Sequence, residues 1–287
     1  MDNNNAVTEI RLMTPLDIPF GMRLREIVGW NQTEQDWQRF LTLEPQGCFV
    51  ACRGAEKCGT VTTLRYEDRC GWIGMVLVEP VYRGQGIGTC LLRQGMNYLH
   101  QKKVETLKLD ATPMGHPLYL QLGFEDEYTI ERWEGISHVE ARSGDRVMTI
   151  DEVNGACQWD LQVFGADRQP LLTSLWREEP RYSAVAYSDN EISGYIMGRK
   201  GSRAHYLGPW VARPGSGAAE ELFYRYLGRV PGEQVFVDIC CENVEARGLV
   251  ESAGFRHQRT LTRMYHGPNR YPGLPHFVCG IAGPELG

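Results

Sequence analysis

The feature that most constrains the fold of this chain is a glycine-rich turn between an apolar strand and an amphipathic helix. The apolar run Met75–Val78 predicts a buried strand that ends before Pro80. Apolar residues recur at helical spacing after the turn, over Leu91–Leu99. A glycine-rich turn that opens a helix presents bare backbone N–H groups and a partial positive charge to an anion. The sequence therefore predicts an anion-binding turn, and Arg83 adds a full charge beside it.

Two familiar phosphate-binding turns do not fit this stretch. The ATP-binding loop requires Lys followed by Ser or Thr after its glycines, and neither pair follows here. The dinucleotide loop requires G-x-G-x-x-G, but counting from Gly84 the sixth position is Thr89. The pattern that remains is Arg83-x-x-Gly86-x-Gly88, preceded by Val-x-Pro. With a strand before it and a helix after it, this pattern resembles the pyrophosphate loop of the GNAT family of N-acetyltransferases.

The resemblance implies what the stretch binds. In the GNAT family this loop holds the pyrophosphate of acetyl-CoA, and the strand before it pairs with the pantetheine arm. Backbone N–H groups around Leu77 and Val78 would then polarise the thioester oxygen. The residues that the resemblance assigns to acetyl-CoA are Val76, Leu77, Val78, Arg83, Gly84, Gln85, Gly86, Ile87, Gly88 and Thr89.

A second family feature follows the next predicted strand, Thr106–Thr112. Tyr119 lies four residues before Gly123, in a short helix that this glycine ends. Acyl transfer needs a proton for the leaving CoA thiolate, which a phenol can supply. The resemblance therefore implies that Tyr119 is the general acid. The alternative is a tyrosine that packs in the core with its hydroxyl hydrogen-bonded.

The group that deprotonates the attacking amine is left open by the sequence. Some histone-modifying members of the family have a carboxylate six residues before the position of Val78, but Trp72 stands there and cannot serve. Asp110, Glu44 and a chain of water molecules are the alternatives. His116 lies near the same predicted sheet edge, where it is either a helix cap or a participant.

The predicted acceptor is a small primary amine that attacks the thioester directly. Trp30 lies in the loop between predicted helices 17–28 and 33–41, which borders the acceptor pocket in the family; it either lines that pocket or packs in the core. Tyr66 and Asp110 are the other predicted substrate-binding residues, and the aromatic surroundings suit an amine with an apolar part. No acidic run indicates a histone-tail groove. The alternatives are a longer acyl donor and a protein that binds acyl-CoA without turnover.

The second half of the chain repeats the first in a weaker form. The apolar-x-apolar-Asp pattern that ends at Asp110 recurs at Asp238, and Gly254-Phe255 matches Gly123-Phe124. Self-similarity over this length favours a tandem repeat. The predicted fold class is α/β (α+β), with two tandem GNAT-like domains, each a mixed, mostly antiparallel sheet flanked by helices.

The repeat lacks residues that the first copy has. A loop motif that begins at Arg213 has Ser216 where glycine is required, so that the motif is shortened or shifted, and Val250 stands at the position of the tyrosine. We therefore predict a catalytic GNAT domain over residues 1–140 and a degenerate GNAT-like domain over 141–287. The degenerate domain would have a substrate-side or structural role, and the alternative is a second CoA site.

The composition of the chain limits the classes of binding partner that we expect. The chain has 30 basic and 36 acidic residues, a net charge of −6, and no block of like charges, so neither nucleic acid nor an anionic membrane is the expected partner. Its 9 cysteines show no metal-ligand spacing and indicate reduced thiols, with a metal site or a disulfide as the alternative. No signal peptide and no apolar run of membrane-spanning length are evident, which predicts a cytoplasmic protein. The sequence leaves the oligomeric state open.

Overall fold

The fold is that of a computed structural model, which describes residues 7–140 and 146–287. The chain divides into two compact units, Met1–Leu109 and Asp110–Gly287. The units divide earlier in the chain than the predicted domains do. The predicted boundary between residues 140 and 141 adjoins residues 141–145, which lie outside the described residues, and the domain assignment stays a prediction.

The first unit is a sheet with helices packed on it. Its strands lie in chain order, antiparallel up to β4, and β5 pairs with β4 in parallel. The strands are β1 (Thr8–Leu12), β2 (Phe49–Arg53), β3 (Glu56–Tyr66), β4 (Cys70–Val78) and β5 (Thr106–Ala111), which continues into the second unit. The helices are α1 (Ile18–Ile27), α2 (Glu34–Leu43) and α3 (Ile87–Gln101).

Helix α2 shows how local sequence sets the structure of this unit. Thr33 is its N-cap, and the Asp36 carboxylate accepts a hydrogen bond from the Thr33 amide at 2.8 Å. The Thr33 hydroxyl accepts in return from the Asp36 amide, which completes a capping box. Trp37 and Phe40 point into the core and are fully buried, and the predicted helix over 33–41 is confirmed.

The second unit is built in the same manner. Its helices are α4 (His116–Gln121), α5 (Ile150–Phe164), α6 (Gln169–Glu178), α7 (Ala218–Leu227) and α8 (Val244–Ser252). Its strands are β6 (Glu125–Ile136), β7 (Ala184–Ser188), β8 (Glu191–Arg199), β9 (His205–Ala212), β10 (Gln234–Cys240), β11 (Arg256–His266) and β12 (Val278–Gly280). The sheet order is β11-β6-β10-β9-β8-β7, with β12 paired to β9. All of these pairs are antiparallel except β9 with β10, so the predicted fold class is confirmed.

Strand β6 occupies an unexpected place in this sheet. It lies within residues 1–140, the predicted catalytic domain, yet it pairs on one side with β10 and on the other with β11, both from the second repeat. The register with β10 runs from Gln234↔Ile136 to Cys240↔Ile130. This pairing explains why the compact units divide before β6 rather than after it.

Helix α5 was not predicted, because residues 136–155 form a mixed polar stretch around the predicted domain boundary. The helix begins inside that stretch, with Thr149 as N-cap and Glu152 completing a capping box. Gly155 in its second turn and the polar residues before it conceal the apolar stripe, of which Val153 and Ala156 are fully buried. Among the described helices, none has both the length and the apolarity that crossing a bilayer requires.

Candidate active site

A β-bulge distorts β4 just before the predicted anion-binding turn. Thr60 pairs with Leu77 and Thr62 with Gly74, so two residues of β4 lie opposite one residue of β3. Met75 adopts a left-handed conformation at φ 50°, and its carbonyl accepts a hydrogen bond from the Thr60 hydroxyl at 2.9 Å. Bulges bend a strand and redirect its groups, and they are common beside active sites.

The last part of β4 has one edge that its neighbouring strand does not use. Among the described residues, β5 pairs with β4 only from Cys70↔Thr106 to Trp72↔Lys108. The edge of β4 on that side is therefore not paired with β5 towards Val78. An extended ligand with amide groups could add to such an edge as a further strand. Val76, Leu77 and Val78, which were predicted to contact acetyl-CoA, lie along it.

The glycine-rich turn has the conformation that anion binding requires. Gly84 and Gly86 have φ values of +72° and +79°, and Gly86 is the N-cap of α3. Within the described chain, the amides of Gly84, Gln85 and Gly86 donate to no other protein group. The amides of the first helical turn that follows have no intrahelical acceptor, and that turn contains no acidic residue. The predicted set of bare N–H groups is present.

Two arginines lie at this turn, Arg83, which was predicted, and Arg53, which was not. Arg83 donates from Nε to the carbonyl of Val78 at 3.0 Å. Arg53, at the end of β2, donates from Nη1 to the side chain of Gln85 at 2.5 Å and lies over the ring of Tyr82 at 5.6 Å. Arg53 was not predicted as a second cation at this turn, because it is followed by a polar hairpin turn and lies 30 residues before the motif in the sequence.

Tyr119 lies on α4 in the second unit, with its ring half-buried beside Phe124. The two ring centroids are 6.0 Å apart. Within the described residues the Tyr119 hydroxyl has no hydrogen-bond partner. Burial raises the pKa of Tyr119 to about 12, so the phenol keeps its proton at neutral pH. The core alternative requires a hydrogen-bonded hydroxyl, which the described residues do not provide; the role of Tyr119 as general acid stays a prediction.

The carboxylates considered as a general base are both engaged. Asp110 accepts two hydrogen bonds from Arg263, at 2.8 Å and 2.9 Å, and both side chains are buried. Glu44 accepts from the hydroxyl of Tyr98 and lies 3.6 Å from Arg65. A base must be free to take a proton, so neither geometry favours that role. Asp110 as a substrate-binding residue stays a prediction, and it would have to act without leaving its arginine.

The remaining predicted residues are less informative. His116 pairs with Asp126 through Nε2 at 2.7 Å and so has a structural partner. Tyr66 is buried in the first unit with 4% of its surface exposed, which favours a packing role. Trp30 is half-buried after α1, where its amide donates to the carbonyl of Arg25 at 3.0 Å. The acceptor-binding roles of Tyr66 and Trp30 stay predictions.

The loop of the second half has the same backbone shape as the first. Gly215 and Gly217 have φ values of +69° and +76°, and Gly217 is the N-cap of α7, as Gly86 is of α3. When Gly84 and Gly86 are aligned with Gly215 and Gly217, Pro214 takes the position of Arg83. The motif is therefore shifted by one residue from an alignment that starts at Arg213, and glycine is retained where that alignment found Ser216.

Although the second loop retains the backbone shape of the first, most of its amides are not available to bind an anion. Several of its amides already have acceptors within the protein: Gly215 donates to the Glu245 carboxylate at 3.4 Å, Ser216 to the Arg213 carbonyl at 3.2 Å, and Ala218 to the Ser216 hydroxyl at 3.3 Å. The first turn of α7 also contains Glu220 and Glu221. Carboxylates at these positions repel a pyrophosphate that the same amides would otherwise attract.

Both halves of the chain match known family models. Residues 19–124 match the Acetyltransferase (GNAT) family model, and residues 156–275 match a second model, an Acetyltransferase (GNAT) domain. The chain belongs to the GNAT family. It contains two GNAT domains in tandem and is an acyltransferase, whose family implies an acyl-CoA donor and an acceptor substrate.

Individual relatives agree with this assignment. The GNAT chain is 27% identical over 261 residues to the holothin acyltransferase of Pseudoalteromonas sp. (strain SANK 73390), covering 90% of this chain and 87% of the relative. A Pyrococcus horikoshii crystal structure assigned as an acetyltransferase superposes with a TM-score of 0.82 at 24% identity, covering 100% and 99% of the two chains. A GCN5-related N-acetyltransferase from Sphaerobacter thermophilus gives 0.63 at 18% identity, covering 90% and 95%. Both structures support the fold.

Proposed function

We propose that the chain transfers the acetyl group of acetyl-CoA to a primary amine of a small molecule. The observation that supports this most strongly is the turn at Gly84–Gly86, whose amides have no acceptor within the described protein. These amides, the first turn of α3 and Arg83 suit the pyrophosphate of a CoA ester. The edge of β4 that β5 leaves unpaired suits the amide groups of its pantetheine arm.

The reaction is a direct displacement at the thioester carbonyl. The deprotonated amine attacks the carbonyl carbon, and the carbonyl oxygen becomes an oxyanion stabilised by backbone N–H groups near Leu77 and Val78. The tetrahedral intermediate then expels the CoA sulfur as the C–S bond breaks. The phenol of Tyr119 gives its proton to the thiolate and regains one from solvent. The proton of the amine passes to water, since both candidate carboxylates are held by other residues.

The acceptor class is supported by the similar acyltransferase, which is named for holothin. The test is a screen of thiol release from acetyl-CoA with holothin and a panel of primary amines as acceptors. We expect release that depends on the acceptor and an acetylated product of the amine. Acetyl-CoA binding without release for any acceptor would indicate a CoA-binding sensor instead. Faster turnover with longer acyl-CoA esters would revise the donor. The cytoplasmic location remains an expectation from the sequence.

One cofactor site per chain is the expected stoichiometry. The second loop has Pro214 in place of Arg83, and proline has no N–H to offer a phosphate. The amides of Gly215, Ser216 and Ala218 already have acceptors within the protein, and that of Gly215 donates to the Glu245 carboxylate. Titration calorimetry with acetyl-CoA should therefore give one molecule bound per chain, and Gly215→Glu should leave that affinity unchanged. Two equivalent sites would show that the second loop opens to the cofactor.

The pH dependence of turnover should reflect the raised pKa of Tyr119. A phenol donates its proton only below its pKa, so the contribution of Tyr119 is lost as the pH rises through about 12. An ordinary tyrosine would lose it near about pH 10. We expect kcat to show no fall due to the phenol up to about pH 11. The measurement is thiol release in the native protein and in Tyr119→Phe, with uncatalysed hydrolysis subtracted. A fall near pH 10 in the native protein alone would contradict this.

A further inference from the structure

A buried arginine of the second half joins the two strands on either side of Tyr119. Arg263, on β11, donates from Nε and Nη2 to the two carboxylate oxygens of Asp110 at 2.8 Å and 2.9 Å. Its remaining nitrogen, Nη1, donates to the hydroxyl of Tyr128 at 2.7 Å. The Asp110 and Arg263 side chains are 0% and 5% exposed. Although burial opposes it, the Asp110 carboxylate raises the pKa of Arg263 well above its usual value.

The two partners of Arg263 bracket the helix that presents Tyr119. Asp110 lies at the end of β5, two residues before Thr112. The hydroxyl and carbonyl of Thr112 both accept from the amide of Gly115, at 3.2 Å and 3.0 Å, and so fix the start of α4. Tyr128 lies in β6, directly after the helix and its closing turn. One guanidinium therefore holds the chain before α4 and the chain after it.

Strand β11 supports the same helix a second time. His266, three residues beyond Arg263, places its ring 5.4 Å from that of Phe124. Phe124 in turn packs on Tyr119 at 6.0 Å, and its amide donates to the Tyr119 carbonyl at 3.1 Å. The packing of the tyrosine ring thus depends on a strand that comes from the degenerate repeat.

We propose that Arg263 is a positioning residue for Tyr119, supplied to the catalytic repeat by the degenerate one. This inference rests on the proposed role of Tyr119 as general acid. Arginine binds a carboxylate through two parallel hydrogen bonds, which fix direction as well as distance. A misplacement of about 1 Å at a catalytic group can cost about 10²-fold in rate. The second repeat then contributes to catalysis through a strand that aligns the acid, and it needs no ligand of its own for this.

The test removes the ion pair without leaving a buried charge. The double variant Asp110→Leu/Arg263→Met replaces both partners with apolar residues of similar size, which proteins often tolerate without loss of stability. With holothin or the best panel amine as acceptor, we expect kcat to fall by about 10- to 100-fold. The KM for acetyl-CoA should stay within about twofold, because the loop at Gly84–Gly86 is untouched. Adding Tyr119→Phe to this double variant should then lower kcat far less than it does in the native protein, because a misplaced Tyr119 already contributes little to the rate.

The internal repeat provides a matched control. Arg132 pairs with Asp238 through two hydrogen bonds, at 2.9 Å and 2.5 Å, and Tyr206 donates to the same carboxylate at 2.8 Å. This cluster is equally buried, but Val250 stands where a catalytic tyrosine would be. Asp238→Leu/Arg132→Met therefore changes the same chemistry away from the acid. We expect its kcat to equal that of the native protein.

The outcomes separate this inference from the proposed function. Loss of turnover in Tyr119→Phe, with native kcat in Asp110→Leu/Arg263→Met, would overturn the role of Arg263 and leave the acid in place. Native turnover in Tyr119→Phe would show that Tyr119 is not the general acid. Equal losses in both double variants would show a general loss of structure. If the double variant does not fold, Tyr128→Phe removes one hydrogen bond of Arg263, and a fall in kcat of about threefold is expected; an unchanged kcat would overturn the proposal.

Discussion

Replacing Tyr119 with phenylalanine is expected to lower kcat by about 10²- to 10⁴-fold, the range that general acid catalysis supplies. The change removes one hydroxyl and keeps the ring that packs 6.0 Å from Phe124. Since that hydroxyl has no partner in the described protein, no internal hydrogen bond is lost. Acetyl-CoA affinity and the melting temperature should therefore stay close to native. The measurements are steady-state thiol release and thermal unfolding with and without acetyl-CoA.

The matched control for this variant is Tyr187→Phe. The hydroxyl of Tyr187 donates to Glu152 at 3.0 Å on the surface of the second unit, so the same atom is removed far from α4 in the sequence. We expect native kcat for this control. If Tyr119→Phe also turned over at the native rate, Tyr119 would be a packing residue and the proton for the thiolate would come from elsewhere.

Replacing Gly86 with glutamate is expected to abolish acetyl-CoA binding. At about a hundredfold excess over its dissociation constant, acetyl-CoA should stabilise the native protein by about 2.7 kcal/mol, and this gain should vanish in the variant. A Cβ atom at Gly86 meets nothing within 4 Å, so the added carboxylate has room to take the site that the amides offer to a phosphate. Thermal unfolding with and without acetyl-CoA measures the gain directly.

Two further variants separate charge from strain. Gly86 has φ +79°, and a side chain in this region costs about 1–2 kcal/mol wherever it points. Gly86→Ala adds that strain without the charge. It should lower the free energy of unfolding but keep part of the stabilisation that acetyl-CoA provides. Gly217→Glu, at φ +76° in the loop of the second half, adds both the strain and the charge, and it should keep the full stabilisation by acetyl-CoA. Loss of binding in Gly217→Glu would place the cofactor in the second half.

The sequence could predict those parts of the site that depend on neighbouring residues. The bare amides at Gly84–Gly86 follow from alternating glycines between a strand and a helix, and the short helix with Tyr119 follows from its closing glycine. The bulge at Met75 could not be predicted, because methionine gives no sign of a left-handed conformation. Its cause is the register between β3 and β4, which is fixed by pairing across the sheet.

Contacts between residues far apart in the sequence could not be predicted either. Arg263 lies 153 residues from Asp110 and nothing near either residue predicts the pair. As a result Asp110 looked like a candidate base or substrate contact, whereas a buried arginine holds it. The repeat itself was visible as Asp110 and Asp238, but the pairing of β6 with β10 and β11 was not. An internal repeat shows which elements recur and leaves open which copies of them pair.

The place of β6 between β10 and β11 has a consequence for any attempt to shorten this protein. A fragment that stops after Ile136 would leave both edges of a long strand without hydrogen-bond partners. Such exposed edges recruit other chains and lead to aggregation. Excising the second repeat would therefore yield an insoluble product rather than a smaller enzyme. The second repeat is therefore needed to complete the sheet around β6, whether or not it binds a ligand of its own.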